Sequence, residues 1–323
     1  MLDSVRRLMR RGATQRVMNV LHKGRPADVA QVLQGLNELD RHAVFAVLSQ
    51  HDKELAAVSI SEFGVEEGIE LLNTLAPEDI ALVLQELPSD DAALFLEKFP
   101  DDVRERLLDL MKIEASTDVQ ELLSFAEYTA GRIMTPDVFA LTEDLTVGEA
   151  VSAIQKASSD IELVFYLYIV DDRSHLVGVV SLRQLLLVPP TTPLKKIMST
   201  DVISVRTETD QEEVARIVAR YNLLGVPVVD EENKLVGVVT VDDVLDVIRE
   251  EATEDIYALA GVSSDDNALS APVRSVKLRL PWLLVNLATA ILASTVVHLF
   301  EGTIARVTVL AALMPIVAGM GGN

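Results

Sequence analysis

The chain contains no cysteine, and aromatic residues make up only 4% of its 323 residues. The lack of cysteine excludes a disulfide scaffold, a cysteine-ligated zinc site and a thiolate nucleophile. The five histidines are widely separated, which argues against a histidine-based metal site. The sequence shows neither a phosphate-binding loop nor a nucleophile elbow, so we expect that the protein is not an enzyme.

Positive charge is also scarce, because 28 lysines and arginines face 50 aspartates and glutamates, for a net charge of −22. Such a chain repels phosphate backbones, so we expect no nucleic-acid partner and regard cations as the better ligands. Residues 272–323 contain one acid and four bases, so nearly all the acids precede them. The sequence therefore predicts an acidic soluble body and an almost uncharged end.

The uncharged end contains a long apolar run. Residues 281–300 lack Asp, Glu, Lys and Arg, which predicts a helix long enough to span a membrane. The bases just before this run, at residues 274–279, place residues 1–280 in the cytoplasm by the positive-inside rule. A second partial span is predicted at about residues 304–323, and we expect the sequence to be a fragment. Residues that interrupt this second helix are expected near a pore: Pro315, Gly319, Gly321, Gly322 and Asn323.

A repeated pattern, in which an acid follows proline closely, opens short amphipathic stretches within residues 26–112. Proline suits the first helical position, and an early acid complements the helix dipole. The pattern predicts an acidic α-helical superhelix over residues 1–130, ending in a polar helix at residues 116–130. The openings are at Pro26, Pro77, Pro88 and Pro100.

Two related segments follow, at residues 133–190 and 197–250. Each has β-branched strands that flank a helix, in the order β-α-β-β-α, which predicts an α/β module. The two copies resemble a tandem pair of CBS domains, at residues 131–192 and 193–250. The matching stretches are Ile133–Val138 with Ile197–Val202 and Leu176–Ser181 with Leu235–Thr240, and the predicted helices are Val147–Lys156 and Gln211–Tyr221.

In CBS domains that bind adenosine nucleotides, a hydroxyl at a strand end and an acid three residues later hold phosphate and ribose. Thr240 and Asp243 fit this pattern in the second copy. In the first copy Ser181 fits, but Gln184 replaces the acid, which weakens the nucleotide prediction. The alternative is that the two hydroxyls simply end their strands. The nucleotide site implied by the resemblance consists of Ser181, Arg183, Thr240 and Asp243.

The second copy continues from Val241 to Ala260 without proline or glycine, which predicts a long helix within an acidic connecting segment at residues 242–271. Like charges at helical spacing destabilise a helix, and Mg2+ prefers oxygen ligands, so the carboxylates predict a divalent-cation site. A solvated acidic face is the alternative. One side of this helix has an apolar stripe, formed by Leu245, Ile248, Ala252, Ile256 and Leu259. The carboxylates are Asp242, Asp243, Asp246, Glu250, Glu251, Glu254 and Asp255.

The segment order resembles that of the MgtE family of magnesium transporters and channels. Residues 133–136, 240–246, 251–256 and 315–323 carry the match. The resemblance implies a homodimer, multi-pass in the lipid bilayer of the cell (inner) membrane, with a Mg2+-selective pore. Besides Mg2+, ATP is the candidate ligand of the CBS pair, and the sequence leaves open whether it binds. The resemblance further implies that high cytosolic Mg2+ bridges the helical domain, the CBS pair and the connecting "plug" helix, and so closes the pore.

The resemblance also implies which carboxylates bind the sensor ions. Leu94 and Asn222 stand where relatives often carry an acid, so one or two ions are expected to be weakened or lost. A membrane-tethered CBS protein that senses adenosine nucleotides without transport is the alternative. The implied ligands are Asp90 and Asp91 in the helical domain, Glu212, Asp243 and Asp246 on the CBS pair, and Glu251, Glu254 and Asp255 on the plug helix, with Asp242 and Glu250 beside them.

Overall fold

The computed structural model describes residues 1–157, 165–259, 272–300 and 302. The chain divides into two units, Met1–Val247 and Ile248–Asn323. The first unit contains a helical domain and two small α/β modules.

Short helices form the whole of the helical domain, as the sequence predicts. Pro26 and Pro77 occupy the first position of their helices, whereas Pro88 and Pro100 are the N-caps of theirs. The helices are α1 Leu2–Met9, α2 Thr14–Leu21, α3 Pro26–Gly35, α4 Glu38–His51, α5 Lys53–Ser61, α6 Val65–Leu72, α7 Pro77–Leu84, α8 Ser89–Glu97, α9 Asp101–Leu110 and α10 Ile113–Ser124.

The last of these helices differs from the prediction for residues 116–130. Helix α10 begins earlier and ends at Ser124, because Phe125 is extended and the following residues form turns. The N–H groups of Ala130 and Gly131 donate to carbonyl oxygens of Thr209 and Thr207, at 2.7 and 2.9 Å. The chain therefore leaves the helix in order to join the second α/β module.

Both modules have the predicted order β-α-β-β-α, and the two predicted helices are confirmed at both ends. Each sheet has three strands, in which the first pairs parallel and the third antiparallel to the middle strand. The first module contains β1 Ala140–Thr142, α11 Val147–Lys156, β2 Tyr166–Val170, β3 Leu176–Ser181, α12 Leu182–Leu187 and a 3-10 helix, Leu194–Lys196. The second contains β4 Val205–Arg206, α13 Gln211–Tyr221, β5 Gly225–Val229, β6 Leu235–Thr240 and α14 Val241–Leu259.

The two modules exchange the segments that precede them. Thr135 pairs with Val238 of the second sheet, and Ser199 pairs with Val179 of the first. The methionine before each of these residues crosses a glycine of the other module. A Cβ on Gly178, for example, would lie 2.7 Å from Met198 Sδ. Glycine is required at this position because any side chain would collide with the crossing segment.

One apolar cluster is shared by the helical domain and the second module. It extends from Phe95 in α8 through Met134 to Val226 in β5 and Val244 in α14. Helix α14 therefore packs through Val244 and Val247, which are 2% and 5% exposed. The described large members of the apolar stripe, Leu245, Ile248 and Ile256, are exposed. The buried face of α14 lies one position before this stripe.

The second unit contains the rest of α14 and a helix α15, Pro272–Leu299. A helix at about residues 281–300 is confirmed, but the predicted membrane span is not found: over the described residues, no helix is both long and apolar enough to cross a bilayer. The predicted second span at about 304–323, with Pro315, Gly319, Gly321, Gly322 and Asn323, and the plug residues after Leu259 lie outside the described residues.

Candidate functional site

Helices α8 and α14 both begin with a pair of acids. Asp90 and Asp91 lie in the first turn of α8, and Asp242 and Asp243 lie in the first turn of α14. The positive ends of the helix dipoles favour carboxylates at these positions. The N–H of Thr240 donates to Asp243 Oδ2 at 3.2 Å, and its hydroxyl is hydrogen-bonded to both α14 carboxylates. Thr240 therefore fixes the side chains that begin α14.

Asp90 links the helical domain to the CBS-like pair. It is buried, at 6% exposed, and its Oδ2 accepts a hydrogen bond of 3.2 Å from the Thr135 hydroxyl. Its charge also acts on Asp243. Burial and then repulsion by Asp90 raise the pKa of Asp243 to about 8, and the hydrogen bonds from Thr240 only partly oppose this rise. The two carboxylates therefore resist being charged together.

Asp91 experiences the same crowding from the other side. The Ser61 hydroxyl donates to its Oδ2 at 2.6 Å. Burial raises the pKa of Asp91, the Ser61 hydrogen bond lowers it, and the charges of Asp246, Asp242 and Glu62 raise it further. The net direction is upward. The structure thus brings together five predicted ligands, here called the carboxylate cluster: Asp90, Asp91, Asp242, Asp243 and Asp246.

Three neighbours of the cluster were missed by sequence reasoning. Thr135 belongs to the Ile133–Pro136 stretch, which aligns the first copy with the second and contributes to the family resemblance but was not predicted to contact the cluster. Ser61 and Glu62 end α5, and nothing in the local sequence distinguishes Glu62 from the many other acids of this domain. Only the packing of α5 beside α8 reveals their role.

The remaining predicted ligands are not brought to the cluster. Glu212 is exposed and pairs with Arg216 on its own helix at 2.7 Å. Glu250 is exposed and Glu251 half-buried on the later turns of α14, and the side chains of Glu254 and Asp255 lie outside the described part of the chain. Over the described residues, no three His, Asp or Glu converge closely enough to hold a metal ion directly. The cluster is therefore a region of crowded carboxylates and not a formed site of direct coordination among the described residues.

An ion pair with a buried arginine lies at the other end of α8. Arg132, 5% exposed, contacts Glu97 Oε2 at 2.8 Å and donates to the carbonyl oxygen of Leu122 at 3.1 Å. Burial alone would raise the pKa of Glu97, but the hydrogen bond and charge of Arg132 outweigh it and lower that pKa. Arg132 therefore joins the segment that enters the first module to the ends of α8 and α10.

A pocket of about 520 Å³ opens on the first module. Ser181 and Arg183 line it, but the Ser181 hydroxyl also caps α12 in a reciprocal capping box with Gln184. Of the predicted nucleotide residues, the pocket thus unites only these two, whereas Asp243 belongs to the carboxylate cluster and Thr240 is hydrogen-bonded to it. The other lining residues are Phe165, Tyr166, Leu182, Leu186, Leu187 and Leu224.

A helical domain packed on two exchanged α/β modules, with crowded carboxylates at their junction, defines a regulatory assembly of the CBS type. Family models identify the parts. Residues 24–128 match the MgtE intracellular N domain, and residues 130–190 and 194–250 each match a CBS domain. The CBS prediction is confirmed.

The full-length relatives are magnesium transporters. The chain is 43% identical over 221 residues to magnesium transporter MgtE of Thermus thermophilus, which covers 68% of this chain and 49% of the relative. It is 39% identical over 220 residues to that of Bacillus subtilis, covering 67% of this chain and 48% of the relative. The chain spans about half the length of the curated relatives it matches.

Two solved structures agree with this assignment. The cytosolic domain of the Mg2+ channel MgtE in complex with ATP matches with a TM-score of 0.71 and 39% identity, over 76% of this chain and all of that one. The soluble part of a magnesium transporter matches with a TM-score of 0.69 and 30% identity, over 78% and 98%. The chain belongs to the MgtE family of magnesium transporters.

Proposed function

We propose that this chain provides the cytosolic Mg2+ sensor of an MgtE-type transporter and that Mg2+ at the carboxylate cluster holds the helical domain against the CBS pair and α14. The contact held by Mg2+ would close the pore formed by the rest of the transporter. The crowding of carboxylates from α8 and α14 is the observation that supports it. At low Mg2+ their repulsion would separate the two helices and open the pore.

Such a switch needs the repulsion of more than one pair of carboxylates. Two like charges ~4 Å apart repel by about 4 kcal/mol at an effective dielectric constant of ~20. A switch from 1:99 to 99:1 requires ~5.5 kcal/mol. The raised pKa values of Asp91 and Asp243 indicate that their neighbours already penalise the charged forms. A bound dication would reverse the sign of these interactions.

The chemistry of the cluster also fits Mg2+. Its charged groups are all carboxylates, which are the hard oxygen ligands that this ion prefers. Mg2+ dehydrates reluctantly and is commonly held by one or two carboxylates and several waters. Asp91 and Asp246 are the best-placed pair, because one lies on each helix and their charges interact. Asp90 and Asp243 would form the buried side of the site.

A titration of residues 1–259 with Mg2+ tests the proposal. We expect the wild type to become more compact in X-ray scattering and more stable to heat as Mg2+ replaces a chelator. The double variant Asp91→Asn and Asp246→Asn should already be compact in chelator and should respond weakly to the ion.

A matched double variant controls for net charge. Glu105→Gln and Asp109→Asn remove two exposed carboxylates of α9, outside the cluster. This variant should respond to Mg2+ as the wild type does. An identical shape of the wild type in chelator and in millimolar Mg2+ would refute the sensor proposal.

The pocket supports a second, compatible candidate: an adenosine nucleotide bound to the CBS pair. Its aromatic and aliphatic walls fit a base, and Arg183 fits a phosphate. The carboxamide of Gln184 replaces the carboxylate expected for ribose, so we propose weaker binding than in relatives that have an acid there. Calorimetry with ATP tests this, and the absence of heat at millimolar ATP would remove the nucleotide from the proposal.

A further inference from the structure

The first 25 residues carry a charge opposite to that of the whole chain. They contain seven arginines and lysines and a single aspartate, for a net charge of +6 in a protein of net charge −22. The N-domain family model matches from residue 24, so α1 and α2 lie outside the matched region. The proposed sensor function gives these cations no role.

Most of these cations are exposed without a counter-ion. Arg6 donates to the carbonyl oxygen of Gly35. The others form no ion pair with any residue that the structure describes, although the chain has 50 acids. We call these exposed cations the basic surface: Arg7, Arg10, Arg11, Arg16, Lys23 and Arg25.

The apolar side of α1 is already occupied. Val5 is fully buried, and Leu2, Leu8 and Met9 pack against the core of the helical domain. Helix α1 is therefore fixed in place and has no free apolar face to insert into a bilayer or a groove. Any partner of the basic surface must be recognised by charge.

We propose that the basic surface binds the anionic lipid headgroups of the bilayer in which the transporter resides. The inference rests on the proposed function, which keeps this domain beside a membrane. The cations are spread over two helices and the turns after them instead of converging on a cavity, and this matches a diffuse polyanion. Anionic lipids also diffuse laterally toward clustered cations. A second copy of net charge −22 would instead bring strong overall repulsion.

Vesicle binding of residues 1–259 tests the proposal. This part can be studied alone, because residues 1–247 form one compact unit with its own cores and the matched relatives were solved as isolated cytosolic or soluble parts. It should sediment with phosphatidylcholine vesicles that contain about one quarter phosphatidylglycerol, but not with pure phosphatidylcholine. Salt at about 1 M shortens the screening length to ~3 Å and should abolish binding.

Three quadruple variants test whether vesicle binding depends on the positive charge of these residues and on their position in the chain. Each cation near an anionic surface contributes roughly fivefold to binding. Replacing Arg7, Arg10, Arg11 and Arg16 by glutamine should therefore weaken binding at least about tenfold, whereas replacing them by lysine should preserve it. The matched control replaces four exposed cations of the CBS pair by glutamine and should bind as the wild type does. The control positions are Lys156, Arg173, Lys196 and Arg220.

Three results would overturn the proposal. These are equal binding to both kinds of vesicle, equal losses in the two glutamine variants, or loss of binding in the lysine variant. Dimers that form without lipid and are abolished by the basic-surface glutamines, with no vesicle binding, would assign the surface to a second copy instead. The Mg2+ titration of the basic-surface glutamine variant should match that of the wild type, so a failure here is distinguishable from a failure of the sensor proposal.

Discussion

Replacing Asp243 by asparagine removes one of two facing carboxylates and keeps the side-chain oxygen that caps α14. In the wild type, burial and then repulsion by Asp90 raise the pKa of Asp243 to about 8, from an ordinary value of 3.8. Between these pH values the folded state retains a proton that the unfolded state has released, so the free energy of unfolding decreases as the pH rises. Asparagine does not titrate and should eliminate this contribution.

The size of the effect follows from the pKa. A tenfold difference in proton affinity is worth about 1.4 kcal/mol, so a delay of roughly four pH units sets an upper limit of ~5 kcal/mol. Asp243 is only half-buried, and water screens part of the repulsion. We therefore expect the variant to be about 2 kcal/mol more stable than the wild type above pH ~8 and equal to it below pH ~4. For a unit of this size, that corresponds to roughly 4–8 °C in the unfolding midpoint.

The assay is thermal unfolding of residues 1–259 in a chelator, followed by circular dichroism between pH ~4 and ~9. The measured quantity is the difference between wild type and variant, because other carboxylates contribute their own pH dependence to both. Asp172→Asn, at an exposed turn, serves as the control and should show no such difference. A variant less stable than the wild type at high pH, or a difference that does not grow with pH, would refute the reasoning.

Three further substitutions test neighbouring features. Arg132→Met removes the buried guanidinium that pairs with the partly exposed Glu97, so the free energy of unfolding should fall by about 1–2 kcal/mol in urea titrations at neutral pH. The loss should shrink as acid protonates Glu97, and an unchanged stability would refute the role of the pair. Gly178→Ala should lower the free energy of unfolding by about 1–3 kcal/mol in the same urea titration, because the added methyl group would collide with Met198. An unchanged free energy would contradict the close approach of the two segments. Gln184→Asp should strengthen ATP binding as measured by calorimetry. Unchanged binding heats would show that this position does not contact the nucleotide.

Local features of the fold could be predicted because they depend on residues that are adjacent in sequence. Proline followed by acid placed the beginnings of α3, α7, α8 and α9 to within one residue. The predicted end of α10 was wrong because the backbone of Tyr128, Ala130 and Gly131 is hydrogen-bonded to the second module, and no local signal indicates a partner that distant.

The packing face of α14 shows a different limit. Its sequence offers two adjacent apolar stripes, one through Leu245 and Ile248 and one through Val244 and Val247. Periodicity alone favoured the longer stripe. The apolar cluster shared with the helical domain buries the shorter one instead. An amphipathic pattern therefore predicts a helix reliably, but the choice of face depends on what lies opposite.

The candidate site contains residues of both kinds: some can be predicted from the local sequence, and others only from tertiary packing. Asp242, Asp243 and Asp246 could be singled out from sequence because acids repeat on one helix without compensating lysines. Their closeness to Asp91 depends on tertiary packing and entered the sequence analysis only through a family resemblance. Glu62 had neither signal, since it lies among many acids and matches no motif.

The two copies of the module have diverged at the same structural position. Ser181 and Thr240 both end the third strand of a sheet and cap the helix that follows. In the first copy the fourth capping-box residue is Gln184, and the strand end faces an apolar pocket with one cation, Arg183. In the second copy it is Asp243, which faces Asp90 across a charged junction. One capping motif, duplicated, is thus neutral at the apolar pocket and acidic at the carboxylate cluster, in line with the two ligands proposed above. The single exchange of carboxamide for carboxylate separates these two chemistries, because both side chains cap a helix but only one adds charge to the interface.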